Sequence, residues 1–149
     1  MEQNKLHFPL FIDLYRKPVV VIGAGPIALR RIGVLQTFGA NITVIAPEAL
    51  PLPEGVTWLA RAYRPGDLDG AFLAIAATNQ RQVNAQVARE ARERGVFASI
   101  ADSRRESTFF FPAICIGGDV VAGVVSDGTK HRKTAQVAKA IREILEDME

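Results

Sequence analysis

Four β-branched residues, Val19-Val20-Val21-Ile22, run directly into Gly23-Ala24-Gly25-Pro26-Ile27-Ala28, and a segment of helical pattern follows. A buried strand, a Gly-x-Gly-x-x-Ala turn and a helix, in that order, make the first half of a βαβ unit. Gly23 permits the tight turn, Gly25 lets backbone approach an anion, and the small Ala28 lets the helix pack close to the strand. Pro26 suits the first helical turn, where no intrahelical N–H is needed. The free N–H groups at such a helix start favour phosphate, so Gly23-Ala24-Gly25 is a candidate dinucleotide pyrophosphate site.

The rest of the chain extends this unit. Ile27, Leu29, Ile32, Val34, Leu35 and Phe38 recur at helical spacing, Gly39 follows as a stop, and Asn41–Pro47 reads as a second strand. Many NAD-binding folds carry Asp or Glu at the end of that strand, to hold the ribose hydroxyls. Here it ends in Ala46-Pro47, and Glu48, two residues beyond Ala46, either reaches the ribose or sits in a solvated loop. No arginine stands there to meet a 2′-phosphate, which favours NAD over NADP. Prolines and glycines dominate residues 51–70 around a short strand at Val56–Leu59. Ala71–Ala77 reads as a strand buried on both faces, Gln80 to Gly95 as a helix burying Val83, Val87, Ala88 and Ala91, and Val96–Ala101 as a fifth strand. Ligands of open parallel sheets sit beyond the carboxyl ends of the strands, a rim that here holds Thr78, Asn79 and Asp102 together with the glycine turn.

The pattern changes after Asp102. A polar loop, Ser103–Ser107, precedes two apolar runs, residues 109–116 and 120–125, joined by Gly117-Gly118-Asp119. Such a hairpin extends the sheet, forms a subunit contact or packs into a core. Ser126–Lys133 reads as a basic loop that meets an anionic substrate or is simply solvated, and Thr134–Glu149 as a helix with Val137, Ala138, Ile141, Leu145 and Met148 on one side. The expected architecture is α/β: a Rossmann-like parallel sheet with helices on both faces over residues 1–103, then a hairpin and helix over 104–149.

Composition excludes several functions. At 149 residues one domain with a small appendage is expected. A net charge of +2 with interspersed signs argues against a dedicated nucleic-acid surface. The single cysteine, Cys115 in an apolar run, excludes an internal disulfide, and with two distant histidines it forms no metal site. His7, beside a proline, reads as a surface or packing residue. No apolar stretch approaches the ~20 residues that cross a membrane, and without a signal-peptide core a cytoplasmic location is expected. A nicotinamide enzyme also needs a group to manage the proton that accompanies hydride transfer. Asp102 is the best-placed candidate, though an aspartate there can also cap a loop or bind ribose.

From Leu10 to about Leu145 the chain resembles the precorrin-2 dehydrogenase and sirohydrochlorin ferrochelatase family, the N-terminal module of siroheme synthase. The resemblance is carried by Pro9-Leu10-Phe11, Val20–Ala28 with Arg30, Gly39–Pro47, Leu73–Asn79 with Val83-Asn84, Ile100-Ala101-Asp102, Ser107–Ala113 and Val124-Val125-Ser126. It implies NAD-dependent oxidation of precorrin-2 to sirohydrochlorin in sirohaem synthesis, and often insertion of ferrous iron into the product. By the same resemblance Asp102 falls on the catalytic aspartate, and Pro26, Ile27, Pro47 and Glu48 on NAD-contacting positions. Ser126 falls on an active-site serine, and the hairpin on a region that forms a homodimer. Arg104, Arg105, Lys130, His131 and Arg132 supply charge for a polycarboxylate macrocycle. Two departures stand out. The family's Ser-x-Gly-Gly-x-Ser-Pro is here Ser126-Asp127-Gly128-Thr129-Lys130-His131-Arg132. Members also carry a further C-terminal helical segment over the substrate, whereas this sequence ends at Glu149, so cover from a partner subunit or a shortened form is expected. The competing reading is a non-catalytic NAD-sensing regulatory module.

Overall fold

The computed structural model describes residues 5–129 and 131–148. They divide into two compact units, one running Ile12–Phe109 and the other joining Phe110 onward to the segment that ends at Phe11.

The larger unit is built on five parallel strands: β1 (Pro18–Ile22), β2 (Asn41–Ile45), β3 (Thr57–Leu59), β4 (Leu73–Ala76) and β5 (Phe97–Ile100). Their order is β3-β2-β1-β4-β5, the doubly wound arrangement that reverses direction at β1. Two helices make crossovers, α1 (Pro26–Thr37) between β1 and β2 and α2 (Arg81–Arg94) between β4 and β5. Right-handed crossovers running in opposite directions from β1 and β4 put these helices on opposite faces of the sheet. Alternation along the strands supplies both cores. Val20, Ile22, Ile45, Ala74, Ala76, Ala98 and Ile100 pack with Val87, Ala88 and Ala91 of α2. Val19, Val21, Ile42, Val44 and Ile75, from the alternate positions, are buried, as are Ala28, Ile32 and Leu35 of α1.

The buried stripe of α1 is narrower than the apolar periodicity suggests. Leu29 and Val34 are half-buried, Phe38 caps the helix, and Ile27 is 46% exposed at its first turn. Every strand except β1 is also shorter than the run read for it, because flanking residues such as Ala46 and Ala77 continue the ladder only through single hydrogen bonds. The β3–β4 crossover has no helix. Leu68 plugs it into the core, and Arg61 holds Asp67 by two hydrogen bonds of 2.8 Å each. Glu90, buried on α2, accepts from Tyr63 Oη, from Gly66 N–H at 2.9 Å and from Arg94 Nε at 2.8 Å. Burial, then the Glu90 partner, push the Tyr63 phenol well above its ordinary value.

The smaller unit holds β6 (Ala113–Gly117), β7 (Val120–Val124) and α3 (His131–Asp147). The two strands form their own antiparallel sheet, so the hairpin does not extend the parallel one. The turn is Gly118-Asp119 alone, with Gly118 at φ 58°, as the first central position of a tight hairpin turn requires. Phe109, Phe110 and Phe111 precede the ladder instead of joining it: Thr108 and Phe109 N–H bond Ala98 O of β5, and Pro112 offers no N–H. α3 starts at His131, so His131, Arg132 and Lys133 are helical and not part of a loop. It packs closely on β6: a Cβ at Gly117 would lie 2.6 Å from Leu145 Cβ, and Cys115 Sγ, fully buried, donates to Ala138 O at 3.4 Å. Of the expected apolar side of α3, Ala138 is buried and Ile141 and Leu145 are half-buried, while Val137 and Met148 face solvent. His7 stacks on Phe110 with centroids 3.8 Å apart, a packing histidine. Among the described residues no helix is long and apolar enough to cross a membrane.

Candidate active site

The glycine turn is fixed from both sides of β1. Gly23 N–H donates to Ile45 O at 3.0 Å, and Ala77 N–H donates to Ile22 O at 2.8 Å. Gly23 adopts φ 113°, and a Cβ there would lie 2.5 Å from Ala77 O. Gly25 differs. It is the N-cap of α1, no side chain caps that helix, and nothing lies within 4 Å of the place its Cβ would take. The first helical hydrogen bond runs from Leu29 N–H to Gly25 O, so the Ile27 and Ala28 N–H groups precede the ladder. An open, Cβ-free approach to unused N–H groups at a helix start fits a dinucleotide pyrophosphate.

The other sequence candidates of the larger unit border the same carboxyl rim. Ala46 is buried, its N–H bonded to Leu59 O at 3.2 Å and its carbonyl accepting from Trp58 Nε1 at 2.9 Å. Its role is to hold the exposed Pro47 and Glu48 that follow. Leu50 N–H donates to Ala24 O at 3.2 Å, which folds this loop back against the glycine turn. Thr78 is occupied structurally: its hydroxyl donates to Asn84 Oδ1 at 2.7 Å, and Asn84 Nδ2 donates to Thr78 O at 3.1 Å. Asn84 is fully buried, and this brace shapes the β4–α2 loop on which Asn79 is exposed.

Asp102 follows β5 with its side chain 39% exposed. Its loop is pinned to the edge of β5, where Ala98 N–H donates to Thr108 Oγ1 at 3.0 Å and Ile100 N–H to Ser107 Oγ at 2.9 Å. Arg81, the first residue of α2, donates from one guanidinium nitrogen to Asp102 Oδ1 at 2.8 Å and from another to Glu106 Oε1. Among the described residues no donor meets Asp102 Oδ2. Sequence reasoning missed Arg81. The available signal was topological, since neighbouring parallel strands β4 and β5 put the start of α2 beside the end of β5. Arg104 and Arg105 lie in the Asp102 loop and are exposed; Ser126, His131 and Arg132 belong to the smaller unit; Lys130 lies outside the described residues. Among the described residues no cluster of His, Cys, Asp and Glu could hold a metal ion.

A glycine turn at an uncapped helix start, on the carboxyl rim of a 3-2-1-4-5 parallel sheet, defines a dinucleotide-binding Rossmann protein. Residues 10–113 match the family described as "Putative NAD(P)-binding". The chain belongs to that family. It is 44% identical over 144 residues to a multifunctional siroheme biosynthesis protein of Ruminiclostridium josui, covering 92% of this chain and 28% of that protein. It is 36% identical over 148 residues to siroheme synthase of Sodalis glossinidius, covering 95% of this chain and 31% of the other. The chain thus spans under a third of the length of these relatives. Among solved structures, the precorrin-2 dehydrogenase SirC shares the fold at a TM-score of 0.75 and 24% identity, over 93% of this chain and 71% of that one.

Proposed function

We propose that this chain is an NAD-dependent dehydrogenase that oxidises precorrin-2 to sirohydrochlorin, as part of sirohaem synthesis. The reaction removes a hydride and a proton from the macrocycle. Bound NAD supplies the hydride acceptor. Gly23, Ala24 and Gly25 with the start of α1 at Pro26 and Ile27 hold the pyrophosphate, while Pro47 and Glu48 face the ribose and Asn79 borders the site. Asp102 takes the proton through Oδ2, the oxygen that Arg81 does not engage. Arg104 and Arg105 in its loop are assigned to the substrate's carboxylates, as are Ser126, Lys130 and Arg132, on charge and resemblance. The smaller unit is assigned to homodimer formation, and ferrous iron is a second substrate inserted into the product.

The observation that carries this reading is Asp102: an exposed carboxylate on an anchored loop, at the end of the strand two places from the glycine turn. A general base must present an accessible oxygen from a fixed position. The test is NADH formation when precorrin-2 and NAD are supplied. Asp102→Ala is expected to leave the NAD Kd unchanged and to lower kcat by about 10²–10⁴-fold. Full turnover in that variant removes Asp102 from the chemistry. Binding of NAD by the unaltered protein, with no NADH formed, points instead to a nucleotide sensor.

A further inference from the structure

We infer that Arg81 is a positioning residue that fixes the orientation of Asp102 for proton transfer; this rests on the dehydrogenase reading above. Arg81 stands at the first position of α2, where a cation opposes the helix dipole, and the first turn of α2 holds no acidic residue to offset it. The balancing charge comes from another element. One guanidinium engages Asp102 and Glu106 together, two carboxylates on the loop after β5. Both the arginine and its partners are substantially exposed, at 47%, 39% and 33% of their side-chain surface. Exposed ion pairs add little to stability, so the consequence of this one is geometric. A planar fork spanning two acceptors restricts both side chains more than a point charge would.

The surroundings supply the rigidity that such a fork needs. Arg81 is anchored by a helix whose start is held by the Asn84–Thr78 brace. The Asp102 loop is anchored by Ser107 and Thr108 on β5, and by Glu106 N–H donating to Ser103 Oγ at 3.2 Å. Two fixed elements are therefore joined at Asp102 Oδ1, and Oδ2 is left to the substrate. Without Arg81, Asp102 is a solvated side chain free to change rotamer, and a misplacement of about 1 Å at a reacting group costs on the order of 100-fold in rate.

The test compares Arg81→Ala, Arg81→Lys and the distant α2 variant Arg92→Ala, on the whole chain with NAD and precorrin-2. Arg81→Ala is expected to lower kcat roughly 10- to 100-fold, with the NAD Kd unchanged and Tm lowered by no more than a few degrees. Arg81→Lys, which keeps the charge without the fork, should recover part of kcat, and guanidinium added to Arg81→Ala should recover more than added ammonium. In the Asp102→Asn background, removing Arg81 should cause little further loss, because an orienting residue has nothing left to orient. Arg92→Ala should keep kcat. Wild-type kcat in Arg81→Ala overturns the inference and leaves the dehydrogenase reading standing. So does a raised KM for the tetrapyrrole that adds fully to the Asp102→Asn effect, since that is direct substrate binding. No NADH from the unaltered protein overturns both.

Discussion

Gly23 and Gly25 are two residues apart in one turn, yet they serve different purposes, and alanine separates them. At Gly23 a methyl group meets Ala77 O at 2.5 Å in a backbone with φ 113°, so backbone must move. Gly23→Ala is expected to cost more than about 2 kcal/mol of folding stability, read as a lower denaturant midpoint. At Gly25 the methyl group meets nothing in the protein and φ is an ordinary −89°. Gly25→Ala should therefore lower Tm by only a few degrees, the cost of a poorer helix N-cap, while NAD binding by calorimetry weakens at least ~10-fold, because the methyl occupies the phosphate approach. Asn84 makes a third case. Fully buried, it satisfies Thr78 on both backbone sides, and Asn84→Ala should cost about 2 kcal/mol and loosen the β4–α2 loop to hydrogen exchange.

Among the elements, the β3–β4 crossover shows how a helix-free connection is kept in place. Burial of Asp67 disfavours its charge, but the Arg61 pair and the Arg64 N–H outweigh this, so its carboxyl titrates below the usual carboxylate range. A folded value below the unfolded one contributes stability that is complete above about pH 4 and disappears as pH falls through the folded value. Tm measured against pH should drop below about pH 4, and Asp67→Asn should reduce that slope while lowering Tm at neutral pH. The elements also show what could be read in advance. The first βαβ unit was legible because strand, glycine turn and helix are local, and the rim residues followed from strand ends alone. Arg81 with Asp102, Tyr63 with Glu90 and Asn84 with Thr78 were not, since these pairings depend on which crossover ends meet. The start of α3 reads as loop because its first residues continue a polar, basic run from Ser126, and Phe109–Phe111 as strand because composition does not reveal that Phe109 N–H is already engaged by β5.

At the scale of the whole molecule, the smaller unit exposes apolar surface that a small two-stranded sheet cannot cover by itself. Ile116 and Val121 are paired across β6 and β7 at 49% and 36% exposure, and Ile144 of α3 is also exposed. This surface supports the proposed homodimer. Ile116→Asp with Val121→Asp should convert dimer to monomer by light scattering while retaining NAD binding, which belongs to the larger unit. An unchanged mass in the variant assigns the dimer contact elsewhere.

The smaller unit is assembled from both ends of the chain, with Ile12–Phe109 lying between its two pieces. During synthesis the segment bearing His7 therefore emerges about a hundred residues ahead of Phe110, the ring on which it stacks. At ribosomal rates that is a wait on the order of 5–20 s, during which the intervening Rossmann unit emerges strand by strand. The nucleotide-binding unit then has all its strands outside the ribosome before α3 has emerged. A ribosome stalled where residue 110 has just left the exit tunnel should carry a folded larger unit with its amino-terminal segment still unattached.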